Sequence, residues 1–244
     1  MQQNTFTIRE NVTVADGTCR IVLAGEMGEP MRPGQFVQLR LPQVYLRRPI
    51  SVYDCDAGAF TLIYKVVGKG TALLAAMRPG ETLDVLTHLG NGFSVEKSGD
   101  RPLLIGGGVG TAPLYLLARE LTKAGKTVSA VIGFRTAAEI FAEEELRALG
   151  VSVTVATADG SRGVRGFVTD ALPAAGENTF YYTCGPEPML RAVRAAVKID
   201  GELSLEERMG CGFGACMGCT IETKSGPRRV CKDGPVFAKE ALTW

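Results

Sequence analysis

The chain has 244 residues, with 27 Lys and Arg against 26 Asp and Glu and a net charge of +1 at pH 7. This length predicts more than one domain, and the balanced charge excludes electrostatic binding of nucleic acid or of an anionic membrane surface. No apolar run is long enough for a membrane span and the N-terminus lacks a signal-peptide pattern, so we expect a cytoplasmic protein. Because the 7 cysteines are also odd in number, we expect no structural disulfides.

Residues 1–98 predict a β-barrel domain. Short β-type runs alternate with glycine and proline turns, a spacing typical of a small closed antiparallel barrel. One helix is predicted after the glycine turn at Gly70, over Thr71 to Met77 and before Pro79. The six predicted strands are Thr5–Thr13, Arg20–Ala24, Gln35–Leu41, Ile50–Tyr53, Phe60–Lys65 and Glu81–Leu86.

The sequence R-R-P-I-S, from Arg47 to Ser51, begins one of these strands. Its position would set the Arg48 guanidinium at the mouth of the strand with the Ser51 hydroxyl nearby, and such a pair could bind a diphosphate and contact a flavin ring. Arginines beside a proline are more often solvated loop residues, so this motif alone decides nothing. The N-terminus of the helix behind Gly70 and Thr71 is a second place where a diphosphate could bind.

Residues 99–199 predict a nucleotide-binding α/β domain, because strands and helices alternate from Arg101 onward. The pattern predicts a parallel sheet with ligands at the carboxyl ends of its strands. The stretch 102–121 is predicted to form a strand, a glycine turn and an amphipathic helix. The strands predicted after it are Val128–Gly133, Val151–Ala156 and Phe180–Cys184, and the helices are Ala138–Leu149, Phe167–Leu172 and Pro188–Lys198.

Two strand ends in this domain are candidate nucleotide contacts. The turn G-G-G-V-G-T is not a true G-x-G-x-x-G fingerprint, but it places several N–H groups at a helix N-terminus, where a pyrophosphate can bind. A tight turn that binds nothing remains the alternative. Cys184, in C-G-P-E-P-M, could border the nucleotide or be a buried structural thiol. The candidate residues are Gly107, Gly108, Gly110, Thr111, Cys184 and Gly185.

The choice between NAD and NADP depends on two residues at strand ends. Arg135 could pair with a 2′-phosphate, whereas Asp159 could bond a ribose hydroxyl. One arginine against one aspartate leaves the choice open.

Residues 200–244 predict a small C-terminal [2Fe–2S] module. Cys211, Cys216 and Cys219 are spaced C-x4-C-x2-C, with Cys231 further along, which is the plant-type [2Fe–2S] ligand spacing. Cys211 and Cys216 would reach one iron, and Cys219 and Cys231 the other. A structural zinc site is the main alternative, but it usually needs two C-x2-C pairs and only one is present.

Several stretches together resemble the ferredoxin–NAD(P) reductase family. They are P-G-Q-F-V-Q-L, R-P-I-S, Y-K-V-V-G-K-G-T and L-G-N-G-F in the first domain, then G-G-G-V-G-T-A-P-L and C-G-P-E-P-M in the second. The resemblance implies a multidomain β-barrel plus α/β fold, with Cys184 beside the nicotinamide. The family's usual R-x-Y-S is R-P-I-S here, so Ile50 replaces the tyrosine that commonly lies against the flavin ring.

With the C-terminal E-R-M-G-C-G-F-G-A-C-M-G-C, nearly the whole chain resembles electron-transfer subunits of NAD-dependent dihydroorotate dehydrogenases of class 1B. The resemblance implies NAD as exchangeable co-substrate. It also implies an FMN-containing catalytic partner that oxidises dihydroorotate to orotate in pyrimidine (UMP) synthesis. Two copies of each subunit would form a heterotetramer. The resemblance also implies an FAD site formed by Arg48, Pro49, Ile50, Ser51, Ile63, Tyr64, Lys65, Gly70 and Thr71, and a [2Fe–2S] site formed by Cys211, Cys216, Cys219 and Cys231.

We assign no catalytic acid, base or nucleophile, because hydride and electron transfer require none. Alternatives to the dihydroorotate interpretation are a flavoprotein subunit of an NAD(P)H–ferredoxin or sulfur-metabolising oxidoreductase, a diaphorase subunit of a hydrogenase or sulfite reductase, and a redox-sensing or zinc-stabilised binding module without turnover. In some of the ferredoxin- and sulfur-linked proteins an aspartate replaces the first cysteine, so Cys211 favours the dihydroorotate interpretation.

Overall fold

A computed structural model describes residues 1–174 and 176–244 of the chain. Its N-terminal part is a closed antiparallel barrel with strand order β1-β2-β5-β4-β3-β6. This confirms the six-stranded barrel predicted from the sequence. The strands are β1 (Gln2–Ala15), β2 (Thr18–Ala24), β3 (Phe36–Arg40), β4 (Arg48–Cys55), β5 (Ala59–Lys65) and β6 (Thr82–Leu89), and helix α1 (Lys69–Ala76) lies between β5 and β6.

The barrel closes because alternate residues of its strands are apolar and fill the interior. Val37 and Leu39 of β3, for example, are fully buried in the barrel core together with Leu62 of β5. The intervening residues point outward, where Phe36 joins a second apolar cluster that contains residues of the C-terminal part. The outer face of β3 is therefore an interface inside the molecule.

The second part of the molecule is a seven-stranded sheet with the order β10-β9-β8-β7-β11-β12-β15. Six of these strands run parallel, and β15 pairs antiparallel with β12. Its strands are β7 (Pro102–Gly107), β8 (Ser129–Phe134), β9 (Ser152–Thr157), β10 (Val164–Arg165), β11 (Phe180–Cys184), β12 (Gly201–Ser204) and β15 (Val236–Ala238), with helices α2 (Ala112–Lys123), α3 (Glu143–Ala148) and α4 (Glu187–Ala196).

Two predicted helices are shorter than expected. The segment Ala138–Leu149 forms a 3-10 turn at Ala137–Glu139 and then α3, because Ala142 takes a left-handed conformation, with a φ of 64°, between them. The segment Phe167–Leu172 is only a 3-10 turn at Val168–Ala171. Pro173 follows it directly, and the residue before a proline disfavours helical geometry.

The C-terminal part is joined to the sheet, which the sequence analysis did not predict. Strands β12 and β15 come from 200–244, yet they extend the nucleotide-domain sheet at its edge. Each has too few residues to give a periodic signal. The cysteine-bearing remainder carries a hairpin of β13 (Thr220–Thr223) and β14 (Gly226–Arg229). A boundary near residue 199 therefore stays a prediction, as does the one near residue 98.

The three parts share apolar clusters. One joins Tyr53 and Ile63 of the barrel to Leu114 of α2, and another joins Phe36 to Leu103 of the sheet and to Cys231. Among the described residues, no helix has the length and apolarity required to cross a membrane.

Candidate functional site

A cavity of about 450 Å³ lies where the barrel, the sheet and the C-terminal part meet. We call it the junction pocket. Most of the predicted FAD residues line it, as do two of the predicted nucleotide residues. These lining residues are Arg48, Pro49, Ile50, Ser51, Ile63, Tyr64, Lys65, Thr71, Gly110 and Cys184. The structure thus brings together residues that the sequence analysis took from two separate domains.

Arg48 lies against the first turn of α1. A Cβ atom on Gly70 would overlap Arg48 Nε and would stand 3.1 Å from Arg48 Cζ, so only glycine leaves room for the guanidinium here. The Thr71 hydroxyl accepts hydrogen bonds from the N–H groups of Val67 and Gly68, at 3.0 and 3.2 Å, which holds the turn in shape. A guanidinium and a helix N-terminus at one place form a site suited to a diphosphate.

Strand β5 separates from β4 beside the pocket. The β4–β5 ladder joins Val52 to Leu62 and ends there, so the backbone from Ile63 to Lys65 extends past it along the pocket wall. Tyr64 is 1% exposed, and its hydroxyl donates to Asn11 Oδ1 at 2.9 Å inside the barrel. The phenol therefore points away from any pocket ligand, and what Tyr64 can offer a flavin is its backbone.

The glycine turn after β7 packs closely against the end of β11. A Cβ on Gly110 would stand 2.6 Å from the Cys184 carbonyl oxygen, and one on Gly185 would stand 2.5 Å from Met189 Cε. Gly107 likewise contacts Met189, whereas Gly108, with a φ of 53°, faces open space. Close packing therefore accounts for Gly107, Gly110 and Gly185, and Gly108 is the glycine of this turn with room for a ligand beside it.

Thr111 does not face the pocket. It is fully buried, a Cβ on Gly106 would stand 2.6 Å from its hydroxyl oxygen, and that hydroxyl has no hydrogen-bond partner in the described part of the chain. Its position favours a packing role over direct contact with a nucleotide.

Cys184 is 3% exposed and lines the pocket. Burial, together with the charge of Glu206, raises the pKa of its thiol to about 12. The thiol is therefore neutral at physiological pH and presents an uncharged, polarisable surface to whatever occupies the pocket.

Arg135 and Asp159 lie next to each other at the ends of β8 and β9, since the Asp159 N–H donates to the Arg135 carbonyl at 3.2 Å. The Arg135 guanidinium is held by Glu139, with Nη2 2.6 Å and Nε 3.0 Å from Oε1. Asp159 accepts from the Ser161 hydroxyl at 2.6 Å. Because the Arg135 guanidinium is already paired, this corner favours a ribose hydroxyl over a 2′-phosphate.

The four predicted cluster ligands stand as two pairs. Cys211 Sγ accepts N–H groups from Ala215 and Cys216 at 3.2 and 3.4 Å, and Cys219 Sγ accepts the Cys231 N–H at 3.4 Å. Within 1–174 and 176–244, no group of three or more Cys, His, Asp or Glu side chains is arranged to hold a single metal ion. Two thiol pairs suit two irons better than one zinc, because a zinc ion gathers its ligands around one point.

Cys211 and Cys231 differ in acidity. Burial opposes ionisation of Cys211, but the N–H groups of Cys216, Phe213 and Ala215 outweigh it and lower the pKa of its thiol to about 6. For Cys231, burial and the neighbouring Cys219 sulfur raise the pKa to about 12. Cys211 is thus ready to bind iron as a thiolate, whereas Cys231 needs the iron to displace its proton.

The C-terminal part also contributes to the pocket, which the sequence pattern did not predict. Its lining also includes Ser204, Leu205, Glu206, Glu207, Met209 and Pro235. We call the segment 210–231, which carries the four predicted cluster ligands, the cluster loop. Met209 directly precedes it, so the pocket reaches the start of the cluster loop. The only sequence signal was the E-R-M run before the first cysteine, and nothing in it indicated contact with the barrel.

Two family models match the chain. The iron–sulfur cluster binding domain of dihydroorotate dehydrogenase B matches residues 206–243, and the oxidoreductase NAD-binding domain matches residues 104–195. The first contains all four predicted ligand cysteines, and the second contains the glycine turn and Cys184.

Curated relatives match nearly the full length. A Bacillus caldolyticus protein, named dihydroorotate dehydrogenase B (NAD(+)), electron transfer subunit, is 47% identical over 247 residues, with 95% of each chain covered. A Geobacillus kaustophilus protein of the same name is 46% identical with the same coverage. A solved structure of an NADH-dependent reduced ferredoxin-NADP oxidoreductase superposes with a TM-score of 0.88 at 32% identity, covering 98% of this chain and 90% of that one.

Proposed function

The chain belongs to the family of electron transfer subunits of NAD-dependent dihydroorotate dehydrogenase B, and we propose that it passes electrons between a catalytic partner and NAD through a [2Fe–2S] cluster and FAD. Membership confirms the resemblance seen in the sequence. The observation that carries the proposal is the junction pocket, where the R-P-I-S strand, Cys184 and Met209 line one cavity.

The cofactors supply the redox chemistry, since NAD exchanges a hydride, the cluster exchanges single electrons and the flavin can do both. The protein positions them. Arg48 and the first turn of α1 would hold the FAD diphosphate, and the β5 backbone beyond Leu62 would border the flavin ring. Cys184 would lie beside the nicotinamide as a neutral thiol.

The cluster loop leads from the pocket to the surface. Met209 lines the pocket, Cys219 and Cys231 are each 2% exposed, and Cys216 lies at the surface. Phe213 and Met217, in the same loop, are 43% and 54% exposed. An apolar rim around an exposed ligand suits protein docking, because it lets an electron leave without crossing much of the protein.

We further propose that the partner is an FMN-containing catalytic subunit that oxidises dihydroorotate to orotate for pyrimidine synthesis, in a complex of two copies of each chain. The names of the relatives support a separate catalytic subunit. We also propose a cytoplasmic location, which is supported by the free thiols of Cys19, Cys55 and Cys184, since free thiols are typical of a reducing compartment.

A flavoprotein subunit of a ferredoxin-linked reductase is the second candidate. The observation in its favour is the likeness to the NADH-dependent reduced ferredoxin-NADP oxidoreductase over 98% of the chain. The identity of 32% is lower than the 47% shared with the dihydroorotate dehydrogenase subunit, so we place it second.

The test is to isolate the chain anaerobically with the proteins that co-purify, add dihydroorotate, and follow reduction of NAD and NADP in parallel. We expect prompt reduction of NAD, an FMN-bearing partner and a native mass equal to two copies of each chain. The chain stripped of its partner is the control and should not respond to dihydroorotate. A complex that holds FAD and cluster but reduces NAD only with reduced ferredoxin would overturn the proposal in favour of the second candidate.

A further inference from the structure

Gln38 is a buried polar residue without a partner for its side chain. It is 0% exposed, and neither Nε2 nor Oε1 has a hydrogen-bond partner among the described residues. Its backbone carbonyl, by contrast, accepts a hydrogen bond from the Arg47 guanidinium at 3.4 Å. Burying an amide without a partner costs free energy, so a side chain placed in this way points to a bound group that it can contact.

The amide faces the cluster loop. Gln38 lies on the outer face of β3, since its neighbours Val37 and Leu39 point into the barrel core. A Cβ on Gly212 would overlap Gln38 Nε2 and would stand 2.8 Å from Gln38 Cδ. Gly212 follows the ligand Cys211 directly and has a φ of 80°, so both its backbone conformation and the Gln38 amide require glycine there.

The amide also stands between the two cofactor sites. In the barrel ladder Gln38 pairs with Pro49, which lines the junction pocket. On the same outer face, Phe36 packs in the cluster that contains Cys219 and Cys231. Gln38 is thus the polar side chain at the point where the wall of the flavin pocket backs onto the cluster loop.

We propose that Gln38 Nε2 donates a hydrogen bond to an anionic sulfur on the Cys211 side of the bound cluster and thereby raises the cluster's reduction potential. A donor stabilises the reduced cluster more than the oxidised one, because reduction adds negative charge to the sulfurs. Gln38 is a positioning and tuning residue rather than a catalytic one. The inference rests on the cluster of the proposed function but is independent of the partner's identity.

The first test is Gln38→Met, which removes the amide and keeps the length of the side chain. In the full chain loaded with FAD and cluster, paramagnetic resonance during a redox titration should show a more negative cluster potential. We expect about a tenfold lower ratio of reduced to oxidised cluster at a fixed poise, which is about 59 mV for a one-electron couple.

Gln35→Met is the matched control on the segment leading into the same strand. Gln35 is 5% exposed, and its amide is fully engaged, donating to the Gly90 carbonyl at 3.0 Å and accepting the Arg32 N–H at 2.9 Å. Its replacement should lower thermal stability and leave the cluster potential unchanged. An unchanged potential in Gln38→Met, or an equal shift in Gln35→Met, would overturn the inference.

A second measurement uses the native chain, so its outcome does not require the Gln38→Met variant to assemble its cluster. The chain is produced with ¹⁵N in its glutamine side chains, and the reduced cluster is examined for hyperfine coupling to that nitrogen. We expect coupling in the native chain and in Gln35→Met. Absence of coupling in the native chain would refute the hydrogen bond, whereas absence of any [2Fe–2S] signal would instead refute the cluster assignment in the proposed function.

Discussion

The cluster loop and the junction pocket are built in opposite ways. All four predicted cluster ligands lie between residues 211 and 231, so their spacing can be read directly along the chain. The junction pocket combines strands β4 and β5, helix α1, the end of β11 and the segment at 204–209, which only folding brings together. One site is a local motif, and the other is a property of the tertiary structure.

The difference extends to how each site is held. The loop relies on N–H groups directed at sulfur, such as those of Ala215 and Cys216 on Cys211, and we expect metal binding to complete it. The pocket is held by protein contacts alone, such as Arg48 over Gly70 and the ion pair of Lys65 with Glu139, at 3.0 Å. We therefore expect substitutions in the loop to act through cluster loading, and substitutions in the pocket to act through flavin binding or the interface between domains.

The largest expected effect is that of Cys231→Ser. Cys231 is 2% exposed and predicted to ligate one iron with Cys219, so its loss should abolish or reshape the reduced [2Fe–2S] paramagnetic resonance signal. FAD content should be retained, because Arg48 and the first turn of α1, which would hold its diphosphate, lie in the barrel. Cys19→Ser, which removes a buried thiol of the barrel, is the control and should leave the signal intact. An unchanged signal in Cys231→Ser would disprove the ligand assignment.

The loop was the more predictable of the two regions for a physical reason. Cluster ligands must satisfy a fixed geometry, so the spacing C-x4-C-x2-C predicts the site directly. The barrel strands could also be predicted, from short β-type runs separated by glycine and proline turns. Strands β12 and β15, by contrast, are four and three residues long and acquire their role from neighbours in the sheet. The same holds for Gln38, whose burial against Gly212 depends on two distant segments meeting.

The next effect is expected at the FAD diphosphate. Arg48→Ala removes a charge-assisted contact and should weaken FAD retention by about 1.5–3 kcal/mol, measured as flavin dissociation during dialysis. Gly70→Ala should weaken it as well, because the new Cβ would displace the Arg48 guanidinium. Gly58→Ala, in the turn between β4 and β5, is the control, since the nearest atom to a Cβ there is Asp56 Oδ1 at 3.9 Å. Full retention of FAD by Arg48→Ala would show that another group anchors the diphosphate.

The smallest expected effect concerns Glu139, which joins Lys65 of the barrel to Arg135 of the nucleotide domain. Hydrogen bonding from Arg135, opposed by burial and assisted by Lys65, lowers the pKa of Glu139 from 4.5 to about 2. A carboxyl whose pKa is lower in the folded chain than in the unfolded chain stabilises the fold at any pH above its unfolded pKa. The contribution of Glu139 is therefore present at neutral pH and is lost as the pH falls from 4.5 to about 2.

Glu139→Gln should therefore lower the free energy of unfolding by about 1–2 kcal/mol at pH 7. This range allows for solvent screening of the exposed Arg135. Below pH 4.5 the loss should become progressively smaller. Urea unfolding at a series of pH values measures this difference. Glu187→Gln is the matched control, because Arg191 and Glu187 are also four residues apart with a distance of 2.6 Å, but Glu187 is 60% exposed. If both substitutions cost the same at every pH, the Glu139 ion pair adds no more to stability than the surface ion pair of Glu187 with Arg191.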